Sequence, residues 1–375
     1  MNLLASPIYY ALPFLCVLTA VVFAHELGHY LVARWCGVRV EVFSIGFGAE
    51  LFGWTDRSGT RWKVSWLPFG GYIRMQGEAP AEGAEPQPVD PDFAARSFSH
   101  KSVARRAAIV VAGPLANFVL AVIVTAILFA TVGQELTSTV IDKVTPDSAA
   151  AAAGLQSGDK IIALNGQKVG RFEDIASIVA LGLGEPLRIE VERAGAMLQV
   201  EATPKIVEQA DVFGTVHRIG RLGITSGGQG EIVHYDPATA AWMAVGVTYD
   251  RAAGMLKALG QIVTGVRSSD EVGGVLRIAK MSGDIAQHSL IDTVDFAMIL
   301  SINLGLLNLM PIPLLDGGRL LFYGFEAARG RPLGPRAEEW GFRLGVALVL
   351  SLMLFATWND LVQLKVFQFL KQLFA

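Results

Sequence analysis

Cysteine is nearly absent from this chain of 375 residues, which holds only Cys16 and Cys36. On one helix their separation would be about 30 Å at the usual rise per residue, so they cannot bridge within the chain. No disulfide framework is therefore expected. Charge is also scarce, at 17% of residues, and a net charge of -3 without a long basic run gives no reason to expect a nucleic-acid partner. The first apolar stretch lacks a basic segment before it and is too long for a cleaved signal peptide, so it reads as a retained span.

What the chain has in quantity is apolar surface: 52% hydrophobic residues and a mean hydropathy of +0.44 point to a membrane protein. A helix crossing a bilayer needs ~20 mostly apolar residues, at about 1.5 Å each across a core of about 30 Å. Four stretches qualify, at about residues 8–33, 103–132, 294–310 and 340–358. The fold class predicted is a polytopic α-helical membrane protein with about four transmembrane helices. Loops kept in the cytoplasm carry an excess of Lys and Arg. Arg34, Arg39, Lys101, Arg105 and Arg106 flank the first connection, and Arg319, Arg329, Arg331, Arg336 and Arg343 crowd the last. Both connections are therefore expected in the cytoplasm, with residues 133–290 and the N-terminus outside.

Between the first two spans, Trp62, Val64 and Trp66 alternate with Lys63 and Ser65, the period of a strand with one apolar face. Gly70-Gly71 permits a tight turn. The reading is a small membrane-associated β-hairpin over Arg61–Met75, within a cytoplasmic segment of about residues 40–100 that also holds the linker, and an ordinary amphipathic hairpin lying on lipid fits the same pattern. Residues 78–92 are acidic and rich in proline, with almost no large apolar residue, and are expected to form a flexible linker. Residues 135–205 lose the membrane signal and read as a compact α+β module. Its signals are a strand over 160–164, a turn at Asn165-Gly166, a helix over 172–180 and strands over 187–192 and 197–202 joined at Ala194-Gly195. Residues 206–290 form an amphipathic segment in which Asp236 and Pro237 open a helix reaching about Arg267. Trp242, Val245, Leu256, Leu259 and Val263 would give that helix an apolar face toward membrane or core. The membrane parts are then residues 1–132 and 291–375.

The chemistry concentrates in His25-Glu26-Leu27-Gly28-His29, inside the first span. Residues four apart share a helix face, so two imidazoles can converge on one metal with Glu26 beside them. Zinc suits neutral imidazole, takes about four ligands, and in catalytic sites leaves one position to a water whose pKa falls to about 7. Glu26 would serve as the base for that water. Three polar side chains in a bilayer span are costly unless they serve a site. A chance match and a non-proteolytic metal site remain the competing readings. A third ligand is needed, and Asp316 is the candidate. It follows Pro311 and Pro313, which stop the third span, and it is the only acidic residue between Asp295 and Glu326. A helix cap or a turn at the membrane boundary is the other role open to it.

His25-Glu26-Leu27-Gly28-His29 in the first span and Asn308-Leu309-Met310-Pro311-Ile312-Pro313-Leu314-Leu315-Asp316-Gly317-Gly318 in the third resemble the site-2 protease family of intramembrane zinc metalloproteases. The resemblance is to its sigma-E-regulating bacterial branch. It extends through residues 43–48, 68–72 and 112–117, the last being Ala112-Gly113-Pro114-Leu115-Ala116-Asn117. The order V-x-P-x-S-x-A, A-G-L-x-x-G-D-x-I, L-N-G within residues 144–166 resembles a PDZ domain of bacterial envelope proteases, which makes the α+β insertion PDZ-like.

The family implies His25, His29 and Asp316 as ligands of one zinc ion and Glu26 as catalytic base. It also implies that the hairpin, through Pro68, Gly70, Gly71 and Tyr72, receives substrate as an added strand, and that Asn308 helps to hold the substrate backbone. Activity implied is cleavage of single-pass membrane proteins in the bacterial inner membrane, a trimmed anti-sigma factor or remnant signal peptides among them. The site would face the cytoplasm, and an external PDZ-like domain would take a peptide or substrate remnant. Two features depart from the resemblance. The sequence has room for one PDZ-like domain where two in tandem are known, and Val272-Gly273-Gly274-Val275 carries Val where relatives often have Pro. The competing readings are a membrane peptide-binding scaffold or receptor with a vestigial metal site, and a metal transporter.

Overall fold

The computed structural model describes residues 8–78, 90–210, 216–227, 230–332 and 334–364. The expected linker falls mostly on residues 79–89, outside the described residues. The chain divides into two compact units, residues 1–125 with 273–360, and residues 126–272 with 361–375.

The first unit opens with helix α1 (Ile8–Trp35), whose apolar sequence carries Arg34 in its last turn, where a cation complements the helix dipole. Gly37, at φ +72°, ends it. The Val38 amide bonds to the Ala33 carbonyl at 2.8 Å and the Gly37 amide to the Arg34 carbonyl at 3.0 Å, the double closure that a left-handed residue makes possible. Cys36 therefore lies just past the helix, and both cysteines are free.

Strands β1 (Val40–Thr55) and β2 (Arg61–Met75) follow and pair with each other. The turn is not at Gly70-Gly71. It is built by Asp56, whose Oδ1 accepts the amides of Ser58 at 2.8 Å and Thr60 at 3.0 Å, a carboxylate closing its own turn. Gly70, at φ +91°, instead bends β2 where the register jumps from Ile45 opposite Gly71 to Phe47 opposite Leu67. Because both strands bend, Val42 to Ile45 has neighbours on both sides, Arg74 to Gly71 on one and Arg61 to Val64 on the other. The sheet thus leaves residues 71–75 along one edge and 50–55 along the other. Phe43 is buried against Trp62, with ring centroids 4.3 Å apart, which fastens the sheet to Tyr30 of α1. Leu51, Phe52, Trp54, Trp66 and Phe69 project outward.

A short helix, α2 (Pro91–Arg96), precedes α3 (Val103–Thr131), which belongs to the first unit up to Thr125. The second unit then runs through β3 (Gln134–Leu136), β4 (Ile141–Val144), α4 (Ala149–Ala152), β5 (Lys160–Leu164), β6 (Gln167–Lys168) and α5 (Phe172–Leu181). It continues through β7 (Leu187–Arg193), β8 (Ala196–Ala202), β9 (Lys205–Ala210), β10 (Val216–Arg221), β11 (Ile224–Ser226), β12 (Glu231–Val233) and α6 (Pro237–Val263). An antiparallel sheet of order β6-β5-β7-β8 covers α5 around Ile161, Leu164, Ile175, Leu187, Ile189 and Val191. Asn165-Gly166 and Ala194-Gly195 make its tight turns, all four at positive φ.

The compact unit continues beyond residue 205. β11 pairs with β4 and β12 with β3, so the expected amphipathic segment begins with strands. Asp236 caps α6 as anticipated from its position before Pro237, accepting the amides of Ala238 and Thr239. The helix ends at Val263 rather than near Arg267. Its buried residues are Ala240, Ala244, Thr248 and Gln261. Trp242 at 79% and Val263 at 80% exposure turn away from the unit's core. An apolar residue is free to face outward where lipid or a partner can cover it.

The first unit resumes with α7 (Val275–His288), α8 (Leu290–Asn308), α9 (Asp316–Arg329) and α10 (Pro335–Gln363). Gly274 is the N-cap of α7, and buried Asp360 of α10 accepts the amides of Gly274 at 2.8 Å and Arg277 at 3.1 Å. Among the described residues four helices are long and apolar enough to cross a membrane: α1, α3, α8 and, from Glu339, α10.

Candidate metal centre

His25 and His29 sit one turn apart on α1 and are both buried. Their Nε2 atoms lie 3.1 Å apart, and Asp316 Oδ2 stands 3.2 Å from that of His25 and 3.4 Å from that of His29. His29 Nδ1 donates to the Ile109 carbonyl at 2.8 Å, which leaves the Nε2 lone pair free, as metal ligation requires. Helix α3 makes this approach possible through its glycine. A Cβ on Gly113 would stand 2.2 Å from His29 Nε2, and one on Gly28 would stand 2.3 Å from the Ala112 carbonyl. Only hydrogen at both positions lets the helices close to this distance.

Asp316 arrives from the other side of the sequence. Helix α8 ends at Asn308, and α9 begins at Asp316 itself. The N-cap is Leu315, so the Asp316 carboxylate does not cap the helix and is turned instead to the two imidazoles. The Asp-Gly-Gly sequence has a steric reason. A Cβ on Gly317 would stand 2.3 Å from the carbonyls of Leu309 and Met310, and one on Gly318 would stand 2.2 Å from that of Ile312. The chain around Pro311 and Pro313 folds directly over the first turn of α9.

Two imidazole nitrogens and one carboxylate oxygen are a donor set suited to zinc. Bonds of 2.0–2.1 Å in a tetrahedron put ligand atoms about 3.3 Å apart, and the separations here are 3.1, 3.2 and 3.4 Å. Asp316 Oδ2 is moreover buried with no hydrogen-bond donor directed at it. Such an atom is expensive unless something positive satisfies it. The residues fit the ion.

Glu26 follows His25 and lines the same cavity of about 220 Å³, together with Tyr72, Asn308, Leu314, Glu78 and Arg319. Tyr72 and Asn308 are thus brought to the His25–His29–Asp316 cluster. Gly70 and Gly71 line a smaller adjoining space that also touches Glu26, and a Cβ on Gly71 would stand 3.4 Å from Glu26 Cγ. Pro68 borders neither cavity. Sequence reasoning did not anticipate Arg319 or Glu78, which pair at 2.8 Å at the cavity wall. Arg319 lies three residues after Asp316 on α9, and that helical spacing was the available signal.

The model of peptidase family M50 matches residues 13–352. The chain is 42% identical over 362 residues to the Agrobacterium fabrum protein named "Putative zinc metalloprotease Atu1380", covering 95% of this chain and 96% of that one. It is 41% identical over 369 residues to the Rhizobium meliloti protein named "Putative zinc metalloprotease R01501", covering 96% and 99%. It is 38% identical over 390 residues to metalloprotease MmpA of Caulobacter vibrioides, covering 96% and 97%. With the match spanning α1 to α10 and the apolar helices that carry it, this chain belongs to peptidase family M50, the membrane-embedded, zinc-dependent site-2 proteases.

Proposed function

We propose that the chain is an intramembrane-cleaving zinc metalloendopeptidase performing regulated intramembrane proteolysis of single-pass membrane proteins, such as a trimmed anti-sigma factor or remnant signal peptides. The observation that carries this reading is the convergence of His25 and His29, on an apolar helix long enough to cross a membrane, with Asp316 beside Glu26 in one cavity.

His25, His29 and Asp316 would hold the zinc ion, which when bound supplies Lewis acidity and lowers the pKa of a water to about 7. Glu26 takes the proton of the attacking water and returns it to the leaving nitrogen, which completes peptide hydrolysis without another acid. Residues 71–75 receive the substrate as an added strand, because they form a sheet edge and Tyr72, Ile73 and Met75 face the cavity. A helical substrate must unwind to pair there, and unwinding exposes the peptide bond that a helix shields. Asn308, on the same wall, holds the substrate backbone.

The distribution of Lys and Arg supports a cytoplasmic-facing site in the bacterial inner membrane, with the second unit outside. There the sheet around α5 serves as a PDZ-like domain for a peptide or substrate remnant, and the outward apolar residues of α6 rest on the lipid surface. The test is Glu26→Gln, compared with the unaltered chain by zinc content and by the membrane peptides that accumulate. Zinc retained with cleavage abolished is expected. Cleavage at the unaltered rate in the variant refutes the mechanism, and an unaltered protein that takes up no zinc would favour a peptide-binding scaffold.

A further inference from the structure

Asn117 lies in the Ala112-Gly113-Pro114-Leu115-Ala116-Asn117 sequence of α3, which the proposed reaction leaves without a role. Its side chain is fully buried. Helix α8 closes over it, with Ser301 Oγ donating to the Asn117 carbonyl at 3.0 Å and a Cβ on Gly305 reaching 3.3 Å from the Asn117 Cβ. Asn117 Nδ2 is placed 3.2 Å from His25 Nδ1, while Oδ1 is buried with no donor.

With the amide nitrogen facing His25, Nδ1 would have to accept, so the imidazole proton would sit on Nε2. There it would point into the cluster formed with His29 Nε2 and Asp316 Oδ2, and His25 would have no lone pair to offer a metal. Oxygen and nitrogen of a carboxamide occupy interchangeable places, and the neighbours decide which faces which. Turning the amide exchanges one unmet atom for another within the helix packing. What decides the orientation is therefore the ligand role of His25.

We infer that Asn117 presents Oδ1 to His25, accepts its Nδ1–H, and so holds the ring in the tautomer that offers Nε2 to zinc. It is a positioning residue, the counterpart for His25 of the Ile109 carbonyl for His29. Both nitrogens remote from the metal are then anchored on α3, eight residues apart, and the two rings cannot swing independently. This inference rests on the reading of His25 as a zinc ligand.

The test measures zinc affinity of the full-length chain by competition with a chelator, independent of proteolysis. Asn117→Leu keeps the bulk and removes the acceptor, and should weaken zinc binding by about 10–100-fold, the usual effect of losing such a partner. Asn117→Asp keeps an oxygen in place and should restore it. Unchanged affinity in the Leu variant, or an Asp variant as weak as Leu, overturns the inference. Should either variant fail to fold, 15N spectra of the zinc-free unaltered chain decide, with the His25 signal identified by its loss in His25→Ala. A protonated Nδ1 supports the inference and a bare Nδ1 overturns it. The ligand reading fails separately if His25→Ala binds zinc as tightly as the unaltered chain, and the inference then falls with it.

Discussion

At the scale of single residues the proposed zinc centre depends as much on missing atoms as on the side chains that converge there. Gly113 leaves room for His29, and a methyl group there would stand 2.2 Å from Nε2. The neighbours cannot yield easily, because His29 Nδ1 is tied to the Ile109 carbonyl on the same helix. Gly113→Ala should therefore push the imidazole off the metal position, with zinc affinity falling about 100-fold or more, at the upper end of what disturbing a ligand's support does. Chelator competition checks it. An unchanged affinity would mean that α3 shifts as a body to admit the methyl, and the close approach would then not be needed for binding.

At the scale of elements, two carboxylates of the first unit close backbone ends, Asp56 at a turn and Asp360 at a helix start. Asp56 closes the β1–β2 turn through the Ser58 and Thr60 amides and also accepts Trp62 Nε1 at 2.9 Å. Burial would raise its carboxyl pKa, but these hydrogen bonds outweigh it and hold the group well below the usual carboxylate range. Asp360 does the same for a helix, joining α10 to the first turn of α7. Asp360→Ala would strand two backbone amides away from water, a loss of about 1–3 kcal/mol for each group left unmet. The expected result is faster hydrogen exchange at residues 274–280 with zinc affinity unchanged. Exchange as slow as in the unaltered chain would show that another acceptor takes over.

For the whole molecule, elements tied by a buried carboxylate and elements held by apolar burial should answer differently to acid. In the second unit, buried Asp159 accepts from Arg193 Nε and Nη2. Those bonds, opposed by burial and aided by the Gln156 amide, lower its carboxyl pKa below the ordinary value. Its folded value is thus below the unfolded value of about 3.9. The stabilisation is complete above that value and is lost as pH falls toward the folded one. Hydrogen exchange in β5 and β7 should therefore accelerate near pH 3, while α1 and α3, held by apolar burial, keep their protection. Arg193→Met should weaken β5 and β7 already at neutral pH and flatten the acid response. An acid response as steep in Arg193→Met as in the unaltered chain would assign it to other carboxylates.

How much of this was legible beforehand depends on whether the signal is local. Periodicity and length gave the four apolar helices, since each must bury its own backbone and surface along one continuous stretch. The tight turns at Asn165-Gly166 and Ala194-Gly195 and the cap at Asp236 are likewise decided by residues that touch their own neighbours. The hairpin expected within Arg61–Met75 is instead a single bent strand, β2, paired with β1 across a turn at Asp56. Gly70-Gly71 is permissive, but Asp56 supplies acceptors for the turn amides, and the free energy favours the turn with its hydrogen bonds met.

His25 and His29 could be paired by their spacing alone. That Asp316 faces them, 287 residues beyond His29 in the chain, depended on α9 folding under the Pro311–Pro313 segment at Gly317 and Gly318. The anchoring of both rings on α3 was hidden for the same reason. The sequence by itself determined which side chains could bind a metal and which segments could lie in a membrane. Only the tertiary structure decided which of those side chains meet, because helix-to-helix distance is set by steric contact between residues remote in the chain, here by glycines that leave room for an imidazole.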